Sequence, residues 1–227
     1  MSSEYSTLKG LVLREVAWKE SDKLLTVLTD ARGKRLMTAR GAKSPKSRKR
    51  AACQALTYAE FTVSERRDRM EISEARVLEP FLALRGDVEL LALGSYFCQV
   101  LETVSQEDLE SPELLRLGLN SLYALGAGRD RDIVKAAFEL RLCAEAGFGP
   151  EPDWVAEMPV GTGFPPIETA GCAAAVEHIA GCEAKKLFSF DITGDARREL
   201  CALAESWVCS RLETGFSTLD FYKSIKI

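Results

Sequence analysis

Histidine occurs once in this chain, at His178, which leaves little room for chemistry resting on imidazole bases or ligands. The phosphate-cradling string GxxxxGK[ST] is absent, as are HExxH and a nucleophile elbow. Gly161-Thr162-Gly163 reads as a turn in a proline-rich loop. Asp30, Asp68, Asp87 and Asp191 fall in turns or caps, and nothing marks a carboxylate pair for acid–base work. Seven cysteines, at 53, 98, 143, 172, 182, 201 and 209, form no CxxC pair, and a disulfide framework is not expected in a reducing compartment. Those at 98, 143, 201 and 209 fall in apolar helical patterns as small hydrophobes. Only Cys172 and Cys182, with His178 between them, hint at a metal, and their spacing is not that of paired zinc ligands. No apolar run approaches the roughly 20 residues that span a bilayer. The polar stretch Met1–Lys9 lacks the basic-then-apolar layout of a secretory signal. The expectation is a cytoplasmic protein with no membrane contact that is not an enzyme. At 46% hydrophobic and 28% charged residues, the 227-residue chain is not disordered and can form one large domain or two small ones.

Acid is missing from one stretch altogether. Between Ala31 and Ala59 there is no Asp or Glu, while Arg32, Lys34, Arg35, Arg40, Lys43, Lys46, Arg48, Lys49 and Arg50 crowd into nineteen positions. The whole chain carries a net charge of −4, so the remainder is strongly anionic. A segregated cation patch on an acidic protein points to a polyanion partner, since repulsion elsewhere leaves one face for phosphates to approach. Gly33, Gly41, Ser44, Pro45 and Ser47 break the run, so it reads as a strand feeding a loop rather than as a charged helix.

Five short β-like runs fill the first eighty residues: Leu8–Val16, Leu24–Thr29, Lys34–Ala39, Ala55–Val63 and Met70–Leu78. Asp30–Gly33 is a hairpin turn between the second and third, and Glu65–Arg69 is a charged turn between the last two. From Arg85 onward helical periodicity takes over. Helices are expected over Arg85–Thr103, from a Ser111 N-cap with Pro112 at the first position, from about Asp130 to Ala146, near Cys172–Cys182, over about Gly194–Thr214 and at Leu219–Ile225. The prolines and glycines of Phe148–Ala170 predict a long irregular loop. The expected fold is therefore α+β in two domains, 1–80 and 81–227, with an irregular insertion at about 148–182. The first is a five-stranded barrel of OB-fold type, where a cationic groove tracks a nucleic-acid backbone and aromatic side chains stack on bases. Trp18, Tyr58 and Phe61 are the aromatic candidates, and Trp18, set between charged neighbours, is the strongest. Lys34, Arg35 and Arg40 are expected on a strand that positions phosphates, and Lys43, Lys46, Arg48, Lys49 and Arg50 on a mobile arm that orders on DNA.

The strings Gly10-Leu11-Val12-Leu13, Glu20–Thr26, Gly33-Lys34 and above all Ala39–Arg48 resemble the N-terminus of the RecO family of bacterial recombination mediators. Leu78–Phe81, Phe138–Arg141 followed by Gly147-Phe148, and Tyr222–Ser224 extend the resemblance along the chain. It implies an OB-fold followed by a helical domain, binding to single- and double-stranded DNA, and annealing of complementary strands. It also implies partnership with RecR and with the acidic tail of single-stranded-DNA-binding protein, and through them loading of RecA onto gapped DNA. Lys135 and Arg141 are candidate cations for that tail. Many family members carry a four-cysteine zinc module after the Gly147-Phe148 region. Here Asp153–Ala156 replaces its first pair, and of the second only Cys172 remains, with Ala175 as its would-be partner. The expectation is a degenerate module without zinc and no other cofactor. The alternative reading is a protein-interaction adaptor whose basic loop meets acidic peptides rather than DNA.

Overall fold

The computed structural model describes residues 4–66, 69–149, 164–165 and 167–226. Five strands, β1 (Glu4–Trp18), β2 (Asp22–Thr29), β3 (Lys34–Ala39), β4 (Tyr58–Arg66) and β5 (Arg69–Glu79), close into a barrel in the order β1-β2-β3-β5-β4. All pairings are antiparallel except the short β3–β5 contact, where Met37 opposes Met70 and Thr38 opposes Glu71. This is the OB-fold arrangement, and full closure leaves no free sheet edge along most of its length.

β1 is long because it serves two neighbours: its first half pairs with β4 and its second with β2, with Gly10 opposite both Thr29 and Ala59. A Cβ at Gly10 would lie 2.6 Å from Val27 Cγ1 and 2.8 Å from the Leu28 carbonyl oxygen, so only glycine allows the strands to close there. A bulge between Val12 and Arg14 separates two audiences. Val12, with Leu8, Leu25, Val27, Phe61 and Ile72, fills the barrel interior, whereas Leu11 and Leu13 join a second core.

Among the described residues that second core belongs to the helices α1 (Leu82–Arg85), α2 (Val88–Val104), α3 (Pro112–Gly126), α4 (Arg131–Glu145), α5 (Ala170–Gly181), α6 (Gly194–Arg211) and α7 (Ser217–Ile225). Leu11, Leu13, Leu28 and Leu56 of the barrel half are continuous with Leu93, Phe97, Leu101, Phe138, Leu203 and Trp207 of the helices. The helix starts carry their own stop signals. Asp87 accepts from the Glu89 and Leu90 amides at 2.9 and 3.0 Å, and Asp130 accepts from Asp132 and Ile133 at 3.0 and 3.2 Å. Ser111 precedes α3 as expected, but its hydroxyl donates to the Leu109 carbonyl at 3.2 Å rather than capping the helix. Most of the proline- and glycine-rich stretch expected to be a loop, including Asp153–Ala156, lies outside the described residues.

Candidate nucleic-acid interface

Residues 40–56, between β3 and β4, form a chain of turns rather than a mobile arm. Ala42, Ala52 and Cys53 are buried in the barrel core. The Gly41 amide donates to Asp22 Oδ1 at 2.9 Å, the Lys43 amide to the Ser21 carbonyl at 3.0 Å, and the Leu56 amide to the Val12 carbonyl at 2.9 Å. Small apolar residues inside a basic run are what tie it down. The alternation Lys-x-x-Lys-x-Arg-x-Arg then leaves Lys43, Lys46, Arg48 and Arg50 on the exposed side, and among the described residues none of the four meets a carboxylate.

The other cations of the run are used by the protein itself. Arg35 is 8% exposed and is held by Glu65 at 3.2 Å and by Asp108. A guanidinium so enclosed has no face for a phosphate, and Arg35 is withdrawn from the expected set. Lys34 donates to the Glu102 carbonyl at 2.7 Å, Arg32 pairs with Glu65 at 2.6 Å, and Lys49 donates to the Ile72 carbonyl at 2.8 Å. The strand therefore does not present its cations to a partner. It turns Lys34 towards the end of α2, and Arg35 towards β4 and the connection after α2. Arg40 lies one residue past β3, with 70% of its side chain exposed and a single surface pair to Glu71 at 2.8 Å.

Trp18 closes β1 at the β1–β2 turn and is 47% exposed. It shares a cleft of about 400 Å³ with Arg40, Thr38 and Ser64, and with Lys19, Asp22, Arg69 and Glu71. The Gly41 amide, then the Ser21 hydroxyl and the nearby Lys19 and Arg40, hold the Asp22 carboxyl below its usual range. The Lys43 ammonium reaches the Lys19 carbonyl at 3.5 Å, so the basic turns and this cleft form one continuous surface. Phe61 is fully buried in the barrel, and Tyr58 packs against the helical core, so neither offers a stacking face. The cleft residues other than Trp18 and Arg40 escape sequence reasoning. The available signal was topological: they flank the β1–β2 and β4–β5 turns, which an OB-fold brings to one side.

The family model described as "Recombination protein O N terminal" matches residues 1–81, and the one described as "Recombination protein O C terminal" matches residues 85–158. The DNA repair protein RecO of Desulforudis audaxviator is 30% identical over 250 residues, spanning 99% of this chain and 98% of its own. The chain belongs to the RecO family of DNA repair proteins. Proteins of the same name from Acetivibrio thermocellus and Caldicellulosiruptor saccharolyticus are 27% and 29% identical, covering 97% and 96% of this chain and 97% and 98% of their own lengths. The RecO-like stretch Ala39–Arg48 thus corresponds to the end of β3 and the first exposed turns beyond it.

Two residues expected to meet the partner tail in the RecO reading are structural. Lys135 is buried on α4 between Glu139 at 2.8 Å and Glu205 at 2.9 Å. Glu139 is itself fully buried and accepts from the Tyr96 hydroxyl at 2.6 Å. Arg141 pairs with Glu145 at 2.7 Å and donates to the carbonyls of Ile179, Ala180 and Cys182 at 3.1, 3.1 and 2.9 Å. It caps the C-terminus of α5, where orphan carbonyls favour a cation. Cys172 is buried within α5, and burial pushes its thiol, like those of Cys53 and Cys201, up to about 11. Among the described residues no group of three or more His, Cys, Asp or Glu is placed to hold a metal, and no helix is long and apolar enough to cross a membrane.

Proposed function

We propose that the protein is a non-enzymatic DNA-binding recombination mediator, gripping single- and double-stranded DNA through Arg40, Lys43, Lys46, Arg48 and Arg50, with Trp18 beside them for an unpaired base. One observation carries this reading: four exposed cations that, among the described residues, have no carboxylate partner, fixed on turns that adjoin an exposed aromatic cleft of an OB-fold in a DNA repair family. Cations on turns anchored to a rigid barrel neutralise phosphates without committing to a sequence. By screening two backbones at once they lower the repulsion between complementary strands, which is what annealing requires. No covalent step is involved. In this reading the protein works with RecR and with the tail of single-stranded-DNA-binding protein to load RecA onto gapped DNA.

An acidic, aromatic-ended tail needs an apolar hollow flanked by cations. Lys135 and Arg141 do not provide one. The hollow of about 340 Å³ between α3 and the segment after α5 does, with Tyr123 and Phe188 lining it and Arg129 and Lys185 exposed beside them.

The test is a titration of fluorescent oligonucleotides across salt concentration. Five phosphate contacts on a single strand give a log–log slope of about −3.5, at about −0.7 per contact. Changing Lys43, Lys46, Arg48 and Arg50 to Gln brings the slope to about −0.7 and slows annealing. Unchanged slope and annealing rate in that variant would place DNA elsewhere, and absence of binding at low salt would favour the adaptor.

A further inference from the structure

The cleft at Trp18 has a charge pattern that the rest of the basic surface lacks. Its rim carries Lys19, Arg40 and Arg69, but Asp22 and Glu71 also line it, with the hydroxyls of Thr38 and Ser64. Asp22 spends Oδ1 on the Gly41 amide at 2.9 Å and Glu71 spends Oε2 on Arg40 at 2.8 Å, so each keeps a second oxygen for another donor. A phosphate is repelled by two carboxylates and stays at the rim. A group with N–H donors and a flat apolar face suits the hollow: the donors meet the carboxylates and the face meets the indole. Exocyclic amino groups of cytosine, adenine and guanine are such donors, and carboxylates accept from them well. Thymine has no exocyclic amino group, and its one ring N–H is flanked by two carbonyl oxygens that the same acids repel. A base inside a duplex has its pairing edge engaged and its faces stacked, so only an unpaired base can enter.

The neighbouring surface sets the count. Residues 40–57 contain no aromatic side chain, so beyond the cleft the cations meet backbone alone, whether single or double. We propose that the cleft is a receptor for one unpaired, amino-bearing nucleobase stacked on Trp18, while the basic turns hold the adjoining backbone in either form. This rests on the reading of those turns as a DNA grip. The substrate class it selects is a duplex with at least one free nucleotide at its edge, and a first unpaired base adds more than those after it.

The experiment compares, at one fixed salt concentration, a blunt duplex with the same duplex extended by one dC, one dT or six nucleotides of dC. One unpaired dC is expected to tighten binding about tenfold over the blunt end, within the range of a single base stack. dC is expected to exceed dT by at least about fivefold, and five further nucleotides are expected to add less than the first. In Trp18→Ala the gain from dC is lost, so that its blunt and dC-extended duplexes bind alike, and Trp18→Phe restores most of the gain. Glu71→Ala brings the dC-to-dT ratio towards one while raising affinity for every DNA, because Arg40 is released. Equal affinity for blunt, dC and dT duplexes, or a gain that survives Trp18→Ala, overturns the receptor and leaves the grip standing. Failure to bind any of these DNAs at low salt overturns both.

Discussion

Arg35 shows how a residue type can mislead when its neighbours in space are unknown. It sits in the most basic stretch of the chain, yet its guanidinium bridges Glu65 on β4 and Asp108 beyond α2, nearly closed off from water. A buried cation deprived of its carboxylates, or carboxylates deprived of it, is destabilising because the remaining charge has lost its hydrogen bonds. Asp108 is well exposed and Glu65 keeps Arg32, so water and the second cation moderate the loss. Arg35→Gln should therefore lower unfolding free energy by about 1–3 kcal/mol while leaving DNA affinity and its salt slope as in the parent. Urea denaturation alongside oligonucleotide titration checks both halves. A fall in the slope with stability intact would return Arg35 to the interface. Lys135 and Glu139 teach the same lesson within one helix: at i and i+4 they resemble a surface pair, but α4 is buried on that side too, and Tyr96 and Glu205 extend the network, with Lys223 at its outer end.

At the scale of elements, strands and helices were legible because their signals are local. β-rich runs between turn residues, alternating in the last two, marked all five strands, and the Asp and Gly stops bounded most helices to within a few residues. The tethering of residues 40–56 was not legible. Its anchors, Ala42, Ala52 and Cys53, are small residues with no periodicity, and their burial depends on the barrel end they plug. The division of the nine cations was hidden for a related reason. Carboxylates that engage Arg32 and Arg35 lie 30 or more positions away, at Glu65 and Asp108. Helix caps, by contrast, give a prediction from the structure that sequence signals already implied. Asp87 is held below its ordinary value chiefly by the Leu90 amide, with Arg131 and the Glu89 amide adding to this against partial burial. For Asp130 burial pushes upward, but the Ile133 amide and Arg197 outweigh it. A carboxyl with a depressed folded-state pKa releases its proton more readily in the native protein. Its contribution is complete above the unfolded value of about 3.9 and disappears as pH falls through the folded one. Asp87→Asn and Asp130→Asn keep a capping oxygen and remove the titration, so together they should flatten the fall in stability below about pH 4.5. Thermal unfolding measured from pH 6 to pH 3 reads this out, and an acid limb as steep as the parent's would assign the effect to other carboxylates.

For the whole molecule, the strand region and the helical region meet through hydrophobic packing rather than through a linker. Leu11, Leu13, Leu28 and Leu56 leave the barrel to enter the helical core, and Arg85 fastens α1 to the carbonyls of Pro80 and Ala55 at 3.0 and 2.7 Å. The tip of the β2–β3 hairpin lies against the connection after α2, where the Lys34 amide donates to the Gln106 carbonyl at 3.0 Å. Gly33, at φ +56°, is the one residue that fits there, since a Cβ would fall 2.1 Å from the Leu109 carbonyl oxygen. Shared burial of four leucines, each contributing about 1.5–3 kcal/mol when fully buried, is large beside the 5–15 kcal/mol by which whole domains are stable. The barrel should therefore not outlast the helices. The 227-residue protein is expected to unfold in urea as one transition, with far-ultraviolet circular dichroism and Trp207 fluorescence giving the same midpoint in a Trp18→Phe, Trp154→Phe background. A fragment ending at Phe81 should show a much lower midpoint or no folded baseline, because those leucines would face water. Two separate transitions would mean that the DNA-gripping barrel can move as an independent body. Coincident ones would mean that a ligand on the basic turns stabilises the helical half by the same free energy as the barrel, coupling the two faces without any hinge.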